Sequence, residues 1–145
     1  MPAALSGLEQ LQAWLSGGER PPISETMQFD LVEISAGRAV FQGTPGRHAY
    51  NPIGTVHGGY AATLLDSACG CAVHALLSAT QGYTTLELKV SYLRALTLDS
   101  GVVRAEGTVL SFGKRVAFAE AKLLDGAGRL CATATSTLLV FEKKT

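Results

Sequence analysis

The chain predicts an α+β fold in which a curved antiparallel sheet of about five to six strands wraps one long central helix. Residues 60–77 form a largely apolar, helix-like run too long for a strand, and four later segments alternate apolar and polar residues with period two. No repeat or linker splits the 145 residues, so they read as one domain, 1–145, with residues 1–25 as an N-terminal helix and linker.

Taken in order, Gly7 to Leu15 reads as a short amphipathic helix, stopped by Gly17-Gly18 and the Pro21-Pro22 pair. Thr26 to Ile34 and Arg38 to Gly43 read as a hairpin turning at Ala36-Gly37. The long helix opens at His57-Gly58-Gly59-Tyr60 and ends before Gln81-Gly82. Beyond it Leu86, Leu88, Val90 and Tyr92 alternate with Glu87, Lys89 and Ser91, which assigns the first set to the buried face. Val103, Ala105 and Val109 oppose Arg104, Glu106 and Thr108, and Phe112-Gly113-Lys114 turns the chain into Val116 to Leu124. Asp125-Gly126-Ala127-Gly128 turns it again into a strand whose Leu130, Ala132, Ala134, Ser136, Leu138 and Val140 alternate with Thr133, Thr135 and Thr137. Alanines at 117, 119, 121, 132 and 134 let a helix lie close to this sheet. Long edge strands are a liability that pairing between copies removes, so at least a dimer is expected.

Composition narrows the function classes. With 47% apolar residues and a formal charge of zero, the chain describes a well-cored soluble protein without an electrostatic case for nucleic acid. Its N-terminus lacks a charged segment followed by an apolar core, and three cysteines with no C-x-x-C pair suit a reducing cytoplasm. Cys69 and Cys71, two apart on a helix, point away from each other and read as small buried apolar residues. Tyr60 to Ala79 has the length of a membrane span, but Asp66 and His74 interrupt it and no Lys or Arg flanks it closely, so no membrane partner is expected. No metal-ligand set is visible, and His74 reads as a core or interface residue.

Asp66 stands out because it is the only Asp, Glu, Lys or Arg between Arg47 and Glu87. An unpaired carboxylate in such a run is costly to bury. It must therefore be partnered, lie at a cleft or subunit interface, or carry out chemistry. The plainer alternative is a structural hydrogen bond to Thr63 or Ser67.

The segment Asn51-Pro52-Ile53-Gly54-Thr55-Val56-His57-Gly58-Gly59, followed by Asp66-Ser67-Ala68, resembles the hotdog-fold acyl-CoA thioesterases of the phenylacetate-pathway type, relatives of the 4-hydroxybenzoyl-CoA thioesterases. The resemblance extends over about residues 27–141 and includes the Ser111-Phe112-Gly113-Lys114-Arg115 turn. It implies hydrolysis of an acyl- or aryl-CoA thioester to free acid and coenzyme A, with no metal and no cofactor beyond the coenzyme A of the substrate.

By that resemblance the helix start at Gly58 and Gly59 binds the thioester carbonyl, Asn51 orients it, and Asp66 is general base or nucleophile. The first role has a physical basis, since backbone N–H groups at a helix start lack partners and the dipole favours developing negative charge. Thr85 matches a hydroxyl that holds the attacking water, although strand alternation puts it on the polar face unless a bulge intervenes. His57 belongs to the same set, and it also reads as a hydrogen-bonding partner for the preceding loop. Arg94, Lys114 and Arg115, with Gly113 in their turn, are candidates for holding coenzyme A phosphates, or are solvated charges.

Asp66 follows Gly58 by eight residues, about 12 Å along a helix, too far for both to meet one carbonyl. A site using both therefore takes one from each of two chains, in a homodimer or, by resemblance, a homotetramer. Two departures leave the acyl group unnamed: Gly70 stands where some relatives carry a hydroxyl, and Asp66 where one branch uses Glu. Gly70 and Ala62 flank Asp66 at helical spacing and leave room beside it. Two alternative classes share the pocket. An acyl-thioester dehydratase or hydratase would pair His57 with Asp66, although its family's helix start is of a Pro-Gly type, and an acyl-CoA-binding module would not depend on Asp66. A Cys69 hydrolase lacks a base, since His74 lies five residues away and faces elsewhere.

Overall fold

The computed structural model describes residues 3–144; Met1, Pro2 and Thr145, which the single-domain reading includes, lie outside the described residues. The elements run α1 (Gly7–Leu15), α2 (Pro22–Met27), β1 (Phe29–Ser35), β2 (Arg38–Gly43), α3 (Gly58–His74), β3 (Gln81–Tyr92), β4 (Val103–Phe112), β5 (Val116–Leu124) and β6 (Leu130–Glu142). The strands form one sheet in the order β1-β2-β4-β5-β6-β3, and every pairing is antiparallel.

Helix α3 lies across the inner face of this sheet because that face is nearly free of large side chains at its centre. Ala105, Ala117, Ala119 and Ala121 are all buried there. A side chain at Gly107 would run into the backbone of Ala68 on α3. Larger residues fill the flanks, where Phe29, Phe41, Tyr60, Leu64, Leu65, Leu123 and Leu138 are almost wholly removed from water. Each of the leucine and phenylalanine side chains contributes about 1.5–3 kcal/mol of burial free energy. The polar outer face carries Glu106, Glu120, Lys122 and the alternating threonines of β6.

Helix α1 is started by a reciprocal cap, in which Ser6 Oγ accepts from Glu9 N at 3.2 Å and Glu9 Oε1 accepts from Ser6 N at 2.9 Å. It docks on the far end of α3, where Gly7 N donates to Leu77 O at 3.0 Å. Glycine is required at that contact, since a side chain would collide with the backbone and ring of His74.

Several expectations are corrected. Residues 22–27 are helical, where the sequence suggests a linker and then a strand from Thr26. Pro22, with its φ already set, suits the first helical position, and Gln28 at φ 58 ends the helix, so β1 begins only at Phe29. The third strand begins earlier than its alternation suggests, at Gln81, and a bulge interrupts it: Thr85 pairs with Leu138 and Glu87 with Thr137, leaving Leu86 unpaired. The extra residue shifts the period by one. Leu86 is thereby 57% exposed rather than buried, while Tyr83 and Thr85 join Leu88 and Val90 on the helix side. Tyr92 and Leu130, at strand ends, are also more exposed than alternation predicts.

Strand β3 forms one edge of the sheet. Twelve residues long, it pairs only with β6 among the described residues. Beside it, Ala62, Thr63, Asp66 and Ser67 form a half-buried stripe along the side of α3 that the sheet does not cover. No helix among the described residues is long and apolar enough to cross a membrane.

Candidate active site

The loop entering α3 is built around Asn51. Its Oδ1 accepts from Ile53 N and Thr55 N at 3.1 Å each, and its Nδ2 donates to Thr55 Oγ1 at 2.9 Å. An asparagine side chain can close such a loop because it mimics a backbone turn. Two further bonds fix where the helix begins: Val56 N to Leu96 O at 2.9 Å and His57 N to Ala49 O at 2.7 Å.

His57 is the N-cap of α3. Its Nδ1 accepts from Gly59 N at 2.7 Å, and its ring is exposed to solvent. The N–H of Gly59 is thereby consumed, which corrects the expectation that Gly58 and Gly59 both keep open donors. An N-cap side chain characteristically reaches the second or third helical N–H, and the first is left over. Among the described residues Gly58 N has no hydrogen-bond partner. Tyr92 covers this residue from the sheet edge, its hydroxyl donating to Gly58 O at 2.6 Å. A cavity of about 550 Å³ opens in front of Gly58, lined also by Thr55, Arg94 and Leu96.

Two turns along, Asp66 is half-buried, and Thr85 Oγ1 donates to its Oδ1 at 2.9 Å. The bulge at Leu86 makes this contact possible by turning Thr85 from the polar face towards the helix. Neither side-chain partner suggested by the plainer reading is the one found, and Thr63 donates instead to Gly59 O at 2.7 Å. Asp66 and Thr85 line a second cavity of about 620 Å³ with Trp14, Cys71, His74 and Tyr83. The cavities of Gly58 and Asp66 share no lining residue.

The remaining candidates separate similarly. Arg94 is exposed and lines the Gly58 cavity. Gly113, Lys114 and Arg115 are exposed at the tip of the β4–β5 hairpin, closed by Gly113 N to Val116 O at 2.9 Å, and line neither cavity. His57 and Asp66, the pair a dehydratase would need, also line different cavities of the chain.

Burial pushes the Cys69 and Cys71 thiols up to about 12, and the negative charge of Asp66 adds to the effect. Neither is a thiolate near neutral pH, so a cysteine nucleophile loses its support. His74 is held below the ordinary histidine range, first by burial and then by the charge of Lys143, and its Nε2 lies 2.9 Å from Gln10 Oε1. Among the described residues no group of three or more His, Cys, Asp or Glu could hold a metal ion.

Sequence reasoning missed Tyr92, Tyr83 and Trp14. Tyr92 reads as a core position by alternation, Tyr83 precedes the predicted strand, and Trp14 lies on a helix outside the range of the resemblance. Only long-range docking brings the last two to Asp66.

The sequence model described as Thioesterase superfamily matches residues 53–132. A 1,4-dihydroxy-2-naphthoyl-CoA hydrolase of Listeria monocytogenes is 24% identical over 122 residues, covering 84% of this chain and 98% of that protein. Among solved structures, a thioesterase family protein from Silicibacter pomeroyi superposes with a TM-score of 0.84 at 24% identity, covering 95% of this chain and all of that one (100%). A phenylacetic acid degradation-related protein from Ralstonia eutropha gives a TM-score of 0.80 at 26% identity, covering 89% and 98%.

Proposed function

The chain belongs to the thioesterase superfamily, with its hotdog fold and thioester hydrolase activity, and from that premise we propose that it cleaves acyl- or aryl-CoA thioesters to free acid and coenzyme A at a site shared by two protomers. In this reading the Gly58 N–H of one protomer polarises the thioester carbonyl, and Asp66 of the other activates the attacking water. The observation that carries it is the division of the two functional groups: the one open N–H at the helix start and the Asp66–Thr85 pair occupy separate cavities of a single chain. A two-fold partner along the unpaired β3 edge brings one of each together.

The chemistry follows from the donors and acceptors. Asp66 takes a proton from water as the water oxygen bonds to the carbonyl carbon, and the oxyanion forms against the Gly58 N–H and the positive end of α3. Collapse breaks the carbon–sulfur bond, and coenzyme A leaves as a thiolate, a good leaving group that needs little help from an acid. Thr85, donating to one oxygen of Asp66, leaves the other aimed at the water. Direct attack by Asp66 through an anhydride uses the same groups.

Asn51 and His57 act here as positioning residues, the first holding the loop and the second occupying the Gly59 N–H so that Gly58 alone faces the carbonyl. Gly59, without a side chain, leaves the approach open. Arg94, beside Gly58, and the Gly113-Lys114-Arg115 turn are the proposed contacts for coenzyme A phosphates. The working form is a homodimer or homotetramer in the cytoplasm, needing no metal, cofactor, nucleic acid or membrane.

Incubation with a panel of aryl-CoA and fatty acyl-CoA thioesters, with thiol release followed and products identified, tests this reading. Equimolar thiol and free acid are expected. Binding without thiol release would point to a carrier module, and hydration of an enoyl-CoA with the thioester intact would point to the hydratase class.

A further inference from the structure

The open cavity beside Asp66 is walled in part by a segment of the chain that lies before the family match, which begins at residue 53. Helix α1 reaches it with Leu11 and Trp14. Three contacts pin that helix: Gly7 N to Leu77 O at 3.0 Å, Gln10 Oε1 to His74 Nε2 at 2.9 Å, and Trp14 packed tilted on Phe41 with ring centroids 5.7 Å apart.

Tyr83 lines the same cavity. Its ring rests on Gly70, where an added Cβ would meet Tyr83 atoms at 2.9 to 3.3 Å, and its centroid lies 5.6 Å from that of His74. Gly70 is one turn beyond Asp66 on α3, so the missing side chain makes room for an aromatic ring in the wall beside the reacting centre. Tyr83 projects inward only because the bulge at Leu86 resets the strand's alternation.

Resting on the thioesterase reading, we propose that Trp14 and Tyr83 determine which acyl groups are accepted: Tyr83 is the side wall and Trp14 the end wall of the acyl pocket. An acyl group attached to a carbonyl at Asp66 extends along α3 towards His74, eight residues further and about 12 Å away along the axis. There it meets α1. The pocket therefore takes short or ring-bearing acyl groups and stops long alkyl chains at the indole.

Trp14 is the single tryptophan of the chain, so its emission reports on the pocket without substitution. In the Asp66→Asn protein, titration with a short acyl-CoA or an aryl-CoA should shift or quench that emission, and free coenzyme A should leave it unchanged. In kinetics, Trp14→Ala should raise the ratio of kcat/KM for dodecanoyl-CoA over butanoyl-CoA about tenfold or more, the scale of a hydrophobic-pocket discrimination. Trp14→Phe, which keeps a ring against Phe41, should raise it less, and it carries the comparison if the alanine variant loses its fold. An unchanged chain-length profile together with unchanged emission, in a protein whose wild type cleaves thioesters, overturns the assignment of the wall and leaves the hydrolase reading intact. A wild type that cleaves no thioester overturns both.

Discussion

Asp66→Asn is expected to lower kcat on any thioester the protein cleaves by about a hundredfold to ten-thousandfold, the range for losing a positioned general base. The substitution is nearly isosteric. Asparagine keeps an oxygen to accept the 2.9 Å bond from Thr85 Oγ1, so fold and substrate binding should survive. What disappears is the capacity to take a proton or to attack carbon. KM should therefore change little while kcat falls, the pattern of an interaction made only in the transition state. Steady-state thiol release at saturating substrate, with a binding titration in parallel, separates the two. A variant retaining most of the wild-type kcat would remove Asp66 from the chemistry.

Gly58→Pro should lower kcat by about a hundredfold to a thousandfold, the cost of deleting one oxyanion donor. This exchange removes the single open N–H and little else. Proline is suited to the first position of a helix, where no intrahelical bond is lost. His57, at φ −58 and ψ 135, already has the extended conformation that a following proline demands. The steric part of the change is a contact with the Tyr92 ring, 3.1 Å from an added Cβ, which a shift of this 55% exposed side chain relieves at the expense of its hydrogen bond to Gly58 O. Gly58→Ala makes the same contact and keeps the N–H. Comparing kcat of the two variants isolates the donor, and equal losses would mean that the N–H is not used.

The sequence was informative for most elements that depend on local pattern, with helix α2 the exception. Period-two alternation put β5 at Val116–Leu124, and the small residues of β5 and β6 announced a helix lying close to the sheet. Asp66 was visible by contrast, as an isolated charge in an apolar run. The bulge at Leu86 was not, because it arises from the register between β3 and β6 rather than from the residues of β3 themselves. That one residue decides whether Thr85 faces solvent or Asp66. The fate of the Gly59 N–H was hidden too, since a histidine before a helix can cap it or turn away. Helix α1 was legible as a helix, but its seat against the end of α3 is a long-range contact, and with it went Trp14.

The shared site is tested most directly by mixing two inactive proteins. In the proposed two-fold dimer, Asp66→Asn alone or Gly58→Pro alone leaves both sites defective. Co-unfolded and refolded together in equal amounts, the two variants form mixed dimers in which one site draws an intact Gly58 from the first chain and an intact Asp66 from the second. Random reassortment of a two-fold dimer restores about a quarter of the wild-type sites, and kcat per protomer should recover to that fraction. If each site were built within one chain, every site in the mixture would carry a defect, and activity no higher than that of the two variants measured apart would contradict the account.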